Sequence, residues 1–313
     1  MAATGCSKNA THVEEFLLAG LHILPELKLF FFVIFLMIYV LTLAGNSLIV
    51  VTVSASDHLR SPMFFLLSNF SFLEIWYATS TAPSMLSGIL ADGSSISFAG
   101  CLMQFYFFTC FATIECFLLT VMAYDRYTAI CFPLHYTTLM DRRQCLKLIS
   151  IAWVGGLTNN LLTLILLCKS KFSGEKMINH FFCEFAPLIK AACSDTSFIE
   201  FYAFFCSFVI LIAPFILIIM SYAYIMSAIL KIPSANGRHK AFSTCSSHLA
   251  VVSSYFGPLI AVYATPRTEG SRNLSNALSL LYSAITPLLN PVIYTLRNKE
   301  IREAWRKAFQ KTP

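Results

Sequence analysis

The chain has 313 residues, 57% of them hydrophobic and only 12% charged, with a mean hydropathy of +0.69. A water-soluble chain carries about a quarter charged residues, so this composition excludes a soluble globular domain and makes lipid the solvent for most side chains. The net charge of +6 suits an anionic membrane surface and an acidic-faced partner, and nothing in it points to nucleic acid.

Residues 1–26 are polar, carry Glu14, Glu15 and Glu26, and lack the short apolar core and small-residue cleavage site of a removable leader. They read as an extracellular amino-terminal segment, with Asn9-Ala10-Thr11 as a glycosylation acceptor. A hydrocarbon core about 30 Å thick needs about 20 apolar helical residues. Seven segments qualify: Leu27 to Ser54, Pro62 to Leu86, Ala99 to Tyr127, Cys145 to Leu167, Phe198 to Leu230, Lys240 to Ala264 and Leu274 to Leu296. The expected fold is an all-α membrane protein, a seven-transmembrane helix bundle over residues 27–296. Pro83, Pro214, Pro258, Pro287 and Pro291 read as kinks, because neighbouring helices and water satisfy the carbonyls that proline frees.

With the amino terminus outside, fourteen Lys and Arg fall on the cytoplasmic side against eight on the outer side, the asymmetry that sets orientation. Residues 297–313 form a cytoplasmic tail. Within it, Ile301, Ala304, Trp305, Ala308 and Phe309 recur at amphipathic spacing, which predicts a short interfacial helix held to the leaflet by basic residues and Trp305. Asn273-Leu274-Ser275 is a second outer acceptor site but hugs the membrane, and Asn69-Phe70-Ser71 lies inside a span.

Cys101, at the outer start of the third span, and Cys168, Cys183 and Cys193, around the long loop before the fifth, face an oxidising compartment. Spacing alone leaves three pairings open. Glu74 and Glu115 lie near the middle of the second and third spans, where an ionised side chain costs about 2.5 to 3.5 kcal/mol on insertion scales. If they face each other, one keeps a proton or a cation such as sodium sits between them; the plainer reading is a protonated structural acid. Asn290 before Pro291 places an amide beside a broken backbone bond, which is either a locally patched kink or part of a water-mediated network that includes Asn46.

At the cytoplasmic end of the third span stands Met122-Ala123-Tyr124-Asp125-Arg126-Tyr127-Thr128-Ala129-Ile130-Cys131. Arg126 alone is a snorkelling interfacial arginine; beside Asp125 it forms an acid–base pair that can be held in one state and broken in another, freeing a guanidinium with five donors. Other stretches follow in order: Gly45-Asn46; Leu59-Arg60-Ser61-Pro62-Met63-Phe64-Phe65-Leu66; Pro133-Leu134-His135-Tyr136; Ser221-Tyr222; Lys240-Ala241-Phe242-Ser243-Thr244-Cys245-Ser246-Ser247-His248-Leu249; and Pro287-Leu288-Leu289-Asn290-Pro291-Val292-Ile293-Tyr294. The ordered set resembles the olfactory branch of the rhodopsin-like G-protein-coupled receptors along nearly the whole chain.

The resemblance implies an odorant receptor, not an enzyme, that activates a stimulatory heterotrimeric G protein and raises cyclic AMP from the plasma membrane of sensory cilia, without a cofactor. It implies that Cys101 pairs with Cys183 and Cys168 with Cys193, folding the loop over the bundle mouth. It further implies that Arg126 leaves Asp125 on activation and approaches Tyr222 and Tyr294 as the sixth span swings out, with Tyr127, Asn290 and Pro291 in the same switch. For the ligand, Phe108, Thr109, Ala112 and Thr113 recur at helical spacing in the third span with no acid among them, so a cationic amine finds no counter-ion there. Cys206, Ser207 and Ile210 in the fifth span, Leu259, Ile260 and Tyr263 in the sixth, and Ser283 in the seventh complete a mostly apolar cavity with a few polar anchors. Each of these alone is ordinary bundle packing. One departure from the family pattern is Tyr255-Phe256-Gly257, where Phe-Tyr-Gly is usual. The rivals are a nonolfactory rhodopsin-like receptor and, from another class, a transporter or channel, for which paired repeats and broken spans are missing.

Overall fold

The structure, a computed structural model, describes residues 13–21, 23–91, 93–172, 177–264, 277–297 and 300–303. Its helices are α1 (Lys28–Ala55), α2 (Pro62–Ala91), α3 (Phe98–Cys131), the one-turn α4 (Tyr136–Leu139), α5 (Arg142–Asn159), α6 (Leu161–Lys169), the short α7 (Phe185–Ala191), α8 (Ser197–Leu230), α9 (Ala235–Ala264) and α10 (Thr286–Arg297), the last preceded by a π turn at Leu281–Ile285. Five segments are long and apolar enough to cross a membrane: Pro25–Ala55, Phe98–Cys131, Arg142–Lys169, Ser197–Leu230 and Ala277–Tyr294. The other two spans, α2 and α9, match them in length and carry more Ser, Thr, Asn and His among their apolar residues.

The bundle is apolar outside as well as inside. Leu29, Phe30, Val40, Leu41 and Val51 of α1 are all exposed, as lipid-facing residues must be. α3 is the central post, packed against α2, α5, α8 and α9, and its buried face holds Phe108, Ile114, Glu115, Leu118 and Asp125. α1 packs on α2 and α10, and α10 closes the ring against α9.

Two proline breaks are mended across the bundle by side chains. Pro258 cannot donate to the carbonyl of Ser254 four residues back, and the Thr286 hydroxyl donates to that carbonyl instead, at 3.1 Å. Pro291 likewise leaves the carbonyl of Pro287 without its helical donor; Asn46 Nδ2 fills the place at 3.2 Å. Gly45 makes this approach possible, because a Cβ there would stand 3.2 Å from two ring carbons of Pro291. Ahead of Pro287 the helix widens into the π turn, in which the Thr286 N–H reaches Leu281 O.

The fourth span runs from Arg142 to Lys169 with one interruption. It breaks between α5 and α6 at Asn160, whose side-chain amide donates to Thr113 Oγ1 at 3.2 Å and to Gly156 O at 3.3 Å, competing with the backbone. The span also starts earlier than expected, because Asp141 caps α5 by accepting from the Gln144 N–H.

Outside the bundle lies a sheet that apolar periodicity does not announce. β1 (Glu15–Leu18) pairs antiparallel with β2 (Ser94–Ser97), Glu15 opposite Ser97, and parallel with β3 (Met177–Ile178). Phe16 and Leu18 point inward and are buried, and Phe16 meets Phe98 and Phe172 with ring centroids 5.9 and 5.6 Å away. Gly93 enters β2 at φ +128°, where a Cβ would lie 2.7 Å from Leu18 O, so the turn demands glycine. Thus β1, from the expected amino-terminal segment, is built into the outer cap. Ile301 is buried, whereas Ala304, Trp305, Ala308 and Phe309 of the expected interfacial helix, and Asn9, lie outside the described residues.

Candidate ligand cavity and switch cluster

A disulfide joins Cys101, in the first turn of α3, to Cys183, with Cα atoms 5.5 Å apart. Gln104, one turn further along α3, accepts from the Cys183 N–H at 3.0 Å and donates to Ser80 O and Ser84 Oγ of α2, each at 2.9 Å. This ties the loop to two spans and seats α7 as a lid. Phe181 and Phe182 are fully buried beneath it, Phe182 with its ring centroid 4.7 Å from that of Phe108. Glu184 accepts from the Tyr282 hydroxyl at 3.2 Å and pairs with His180 Nε2 at 3.3 Å. Burial holds the imidazole of His180 below the usual histidine range, with Glu184 opposing that shift.

The second expected disulfide is corrected. Cys168 is an exposed free thiol, and Cys193 is disulfide-bonded, but not to Cys168. The reason is helical phase. Cys168 continues α6 one residue past the buried Leu167, so its side chain turns away from the loop. The four-cysteine count also left out Cys6, which the sequence places on the outer side and which lies outside the described residues.

Beneath the lid is a cavity of about 620 Å³. Phe108, Thr109, Ala112 and Thr113 line it from α3, Cys206, Ser207 and Ile210 from α8, and Leu259 from α9, as expected. Ile260 does not; one helical step past Leu259, it is 51% exposed on the outer face of α9. Nor does Ser283, whose buried hydroxyl donates back to Ser279 O at 2.6 Å. The side chain of Tyr263 lies outside the described residues. Sequence reasoning missed Tyr77, Cys116, Asn160, Tyr255, Tyr282 and the lid residues Glu184, Phe185 and Ile189. The expectation of a cavity without an acid is therefore corrected, since Glu184 reaches it from the lid and Glu200, with Lys190, from its rim. Tyr255 forms the floor: its hydroxyl donates to Ala112 O at 2.7 Å and accepts from Cys116 Sγ at 3.3 Å, while Phe256 turns to Phe215 with centroids 5.2 Å apart. The reversed Tyr-Phe order thus places the hydroxyl against α3.

Below the floor the structure brings the two intramembrane acids together. Asn290 Nδ2 donates to Glu74 Oε1 at 2.5 Å, and the carboxyls of Glu74 and Glu115 are within electrostatic reach of each other. Glu74 Oε2, both oxygens of Glu115, Asn46 Oδ1 and Asn290 Oδ1 are buried without donors. Such an all-oxygen set fits protons or a hard cation and suits no soft metal.

At the cytoplasmic end, Asp125 does not pair with Arg126 within 4.0 Å among the described residues. It accepts instead from the Tyr136 hydroxyl of α4 at 2.8 Å. Adjacent helical side chains diverge by a third of a turn, so the nearer partner comes from the following loop. Arg126 lies within electrostatic reach of Asp125 and Tyr136 as well as of Tyr222, Cys245, His248 and Tyr294, with its Nε buried and without a hydrogen-bond partner. Tyr222 is held by His248 Nδ1 at 2.8 Å, a partner that sequence reasoning quoted in a motif without assigning it a role. The Tyr294 hydroxyl is buried without a hydrogen-bond partner, and Tyr127 meets Phe132 edge-on and Tyr224 at a tilt.

Comparison with known proteins agrees in kind. Residues 35–312 match the olfactory receptor family. The chain is 43% identical to olfactory receptor 1E16 of Mus musculus over 97% of both chains. It is 44% identical to olfactory receptor 11L1 of Homo sapiens over 97% of this chain and 94% of the relative, and 42% identical to olfactory receptor 1468 of Rattus norvegicus over 95% of both. A lidded cavity over a buried polar core is thus carried by a multi-pass, non-enzymatic odorant receptor of the G-protein-coupled class, and the chain belongs to the olfactory receptor family.

Proposed function

We propose that this receptor binds small, mostly neutral volatile molecules in the cavity beneath α7 and activates a stimulatory G protein, raising cyclic AMP. The observation that carries the reading is the lining of the cavity. Phe108, Ala112, Ile210 and Leu259 supply apolar walls, and Thr109, Thr113 and Ser207 supply isolated hydroxyls. Glu184, the acid of the lid, already accepts from the Tyr282 hydroxyl. The charged lining residues Glu184, Lys190 and Glu200 belong to the lid and rim, and moving an ion past them, down among the apolar walls without a partner, costs several kcal/mol, more than a small ligand's contacts offset. Alcohols, aldehydes, ketones and esters are the expected agonists.

In this reading residues 1–26 and the loops of the sheet face outward, residues 27–296 span the bilayer and residues 297–313 lie on the cytoplasmic leaflet, with Asn9 glycosylated. The charge asymmetry of fourteen against eight supports this orientation, and sensory cilia are the expected location. Asp125, Arg126, Tyr222, Asn290, Pro291 and Tyr294 form the switch, and Glu74, Glu115, Asn46 and Asn290 a proton or sodium site. A cyclic AMP assay over neutral, amine and carboxylic-acid odorants, with and without the stimulatory alpha subunit, tests the proposal. Neutral agonists acting only with that subunit are expected. Activation by amines alone, lost in Glu184→Gln, would overturn the ligand class, as would activation by acids alone, lost in a change to alanine of Arg267, which the sequence places just outside the sixth span and which lies outside the described residues.

A further inference from the structure

The exposed part of the cavity lining is confined to one flank. Over the cavity lie α7, the Cys101–Cys183 bond and the buried Phe181 and Phe182. Most of its lining is shielded; the exposed members are Lys190 at the end of α7 and Glu200, Phe201 and Phe204 on the first turns of α8. Phe201 is 69% and Phe204 65% exposed, although both also line the cavity, so they form its rim. Across the opening stand Asn159, Asn160 and Thr163, where the fourth span breaks between α5 and α6.

The rim straddles the membrane interface. α8 has 34 residues, so at 1.5 Å per residue it is about 50 Å long against a hydrocarbon core of about 30 Å, an excess of about 10 Å at each end. Phe204, seven residues into the helix, therefore stands near the hydrocarbon boundary, with Lys190 and Glu200 at headgroup level. Phe198, Phe205 and Phe208 extend the exposed aromatic surface around the rim.

We infer that ligands enter this cavity laterally from the outer leaflet, through the opening between the broken fourth span and α8, with Phe204 as its gate. Volatile apolar molecules partition into lipid before they meet the receptor. A mouth with phenylalanine on its lipid side receives them already desolvated, while the charged Lys190 and Glu200 mark its upper edge. The inference rests on the cavity being the odorant site.

Photolabelling tests the route without a known agonist. The full-length receptor in phosphatidylcholine nanodiscs is exposed either to an uncharged aryl diazirine dissolved in the lipid or to a charged, membrane-impermeant one in the water, and labelled residues are mapped by mass spectrometry. The uncharged reagent is expected to reach Ala112 and Thr113 on α3. Phe204→Trp should reduce that labelling several-fold and Phe204→Ala should raise it, with labelling of the exposed Leu41 on α1 unchanged as a control for folding. Labelling of Ala112 and Thr113 by the charged reagent alone, or labelling by the uncharged reagent that neither variant alters, would overturn the lateral route. Neither outcome touches the odorant reading, which the cyclic AMP panel decides separately.

Discussion

In the outer third of the bundle buried polar groups are largely engaged: Gln104 bonds to Ser80, Ser84 and the backbone of Cys183, Glu184 takes Tyr282, and Tyr255 ties α9 to α3. From the midplane inward the pattern reverses. Among the described residues, Asn46, Glu74, Glu115, Arg126, His248, Asn290 and Tyr294 each bury at least one unpartnered nitrogen or oxygen; in the outer cap only Ser94 and His180 do. An unpartnered buried polar group costs about 1–3 kcal/mol. A region holding several is poised to rearrange into a state that pairs them, whereas the outer region is built to keep its shape around a ligand.

The outer half breaks first at its covalent tie. Cys101→Ser and Cys183→Ser should each lose most surface expression, and the double variant should be scarcely worse, because either change removes the same bond, worth about 2–5 kcal/mol in small domains. Flow cytometry of the three variants checks this, and additive losses would separate the two cysteines. In the inner half, Glu115→Gln removes an acid whose two oxygens have no donor. Basal activity should then lose its dependence on sodium or on pH, and an unchanged dependence on both returns the acids to a structural role.

The seam between the halves is Tyr255. Tyr255→Phe removes its bond to Ala112 O, worth about 1 kcal/mol, so basal nucleotide exchange should rise by up to about five-fold. A fall in basal exchange would show that the link supports the active state instead. The smallest effect is expected at the lid. The imidazole of His180 sits below the usual histidine range because it is buried, so the opened lid binds a proton more readily. Lid closure is then fully stabilised above about pH 6.5 and weakens as pH falls through that value. Protection factors over residues 178–191, which divide out the intrinsic slowing of exchange in acid, should fall between about pH 7 and pH 5, and His180→Phe should flatten the change.

The spans were legible because lipid imposes one length and one solvent on every segment, and prolines inside them were readable as breaks that neighbours mend. Which neighbours do so was not legible: the pairing of Thr286 with Ser254 O and of Asn46 with Pro287 O depends on how the helices are rotated. Rotation also explains why Leu259 lines the cavity and Ile260 does not. The strands of the outer sheet, two to four residues long, are too short for alternation to register. Glu184 entered the cavity only through the Cys101–Cys183 tie, which carries a loop residue above α3. The Cys168 error came from treating a helix-end cysteine as part of the loop that follows it.

The central claim is that ligand recognition and switching reside in separate regions. Arg126→Ala tests it most directly when odorant binding is measured on the purified receptor alone and nucleotide exchange on the same receptor after G protein is added, using a neutral agonist from the panel. The account predicts unchanged odorant affinity with agonist-driven exchange abolished. Exchange that survives in the variant, or affinity lost together with exchange, would contradict it.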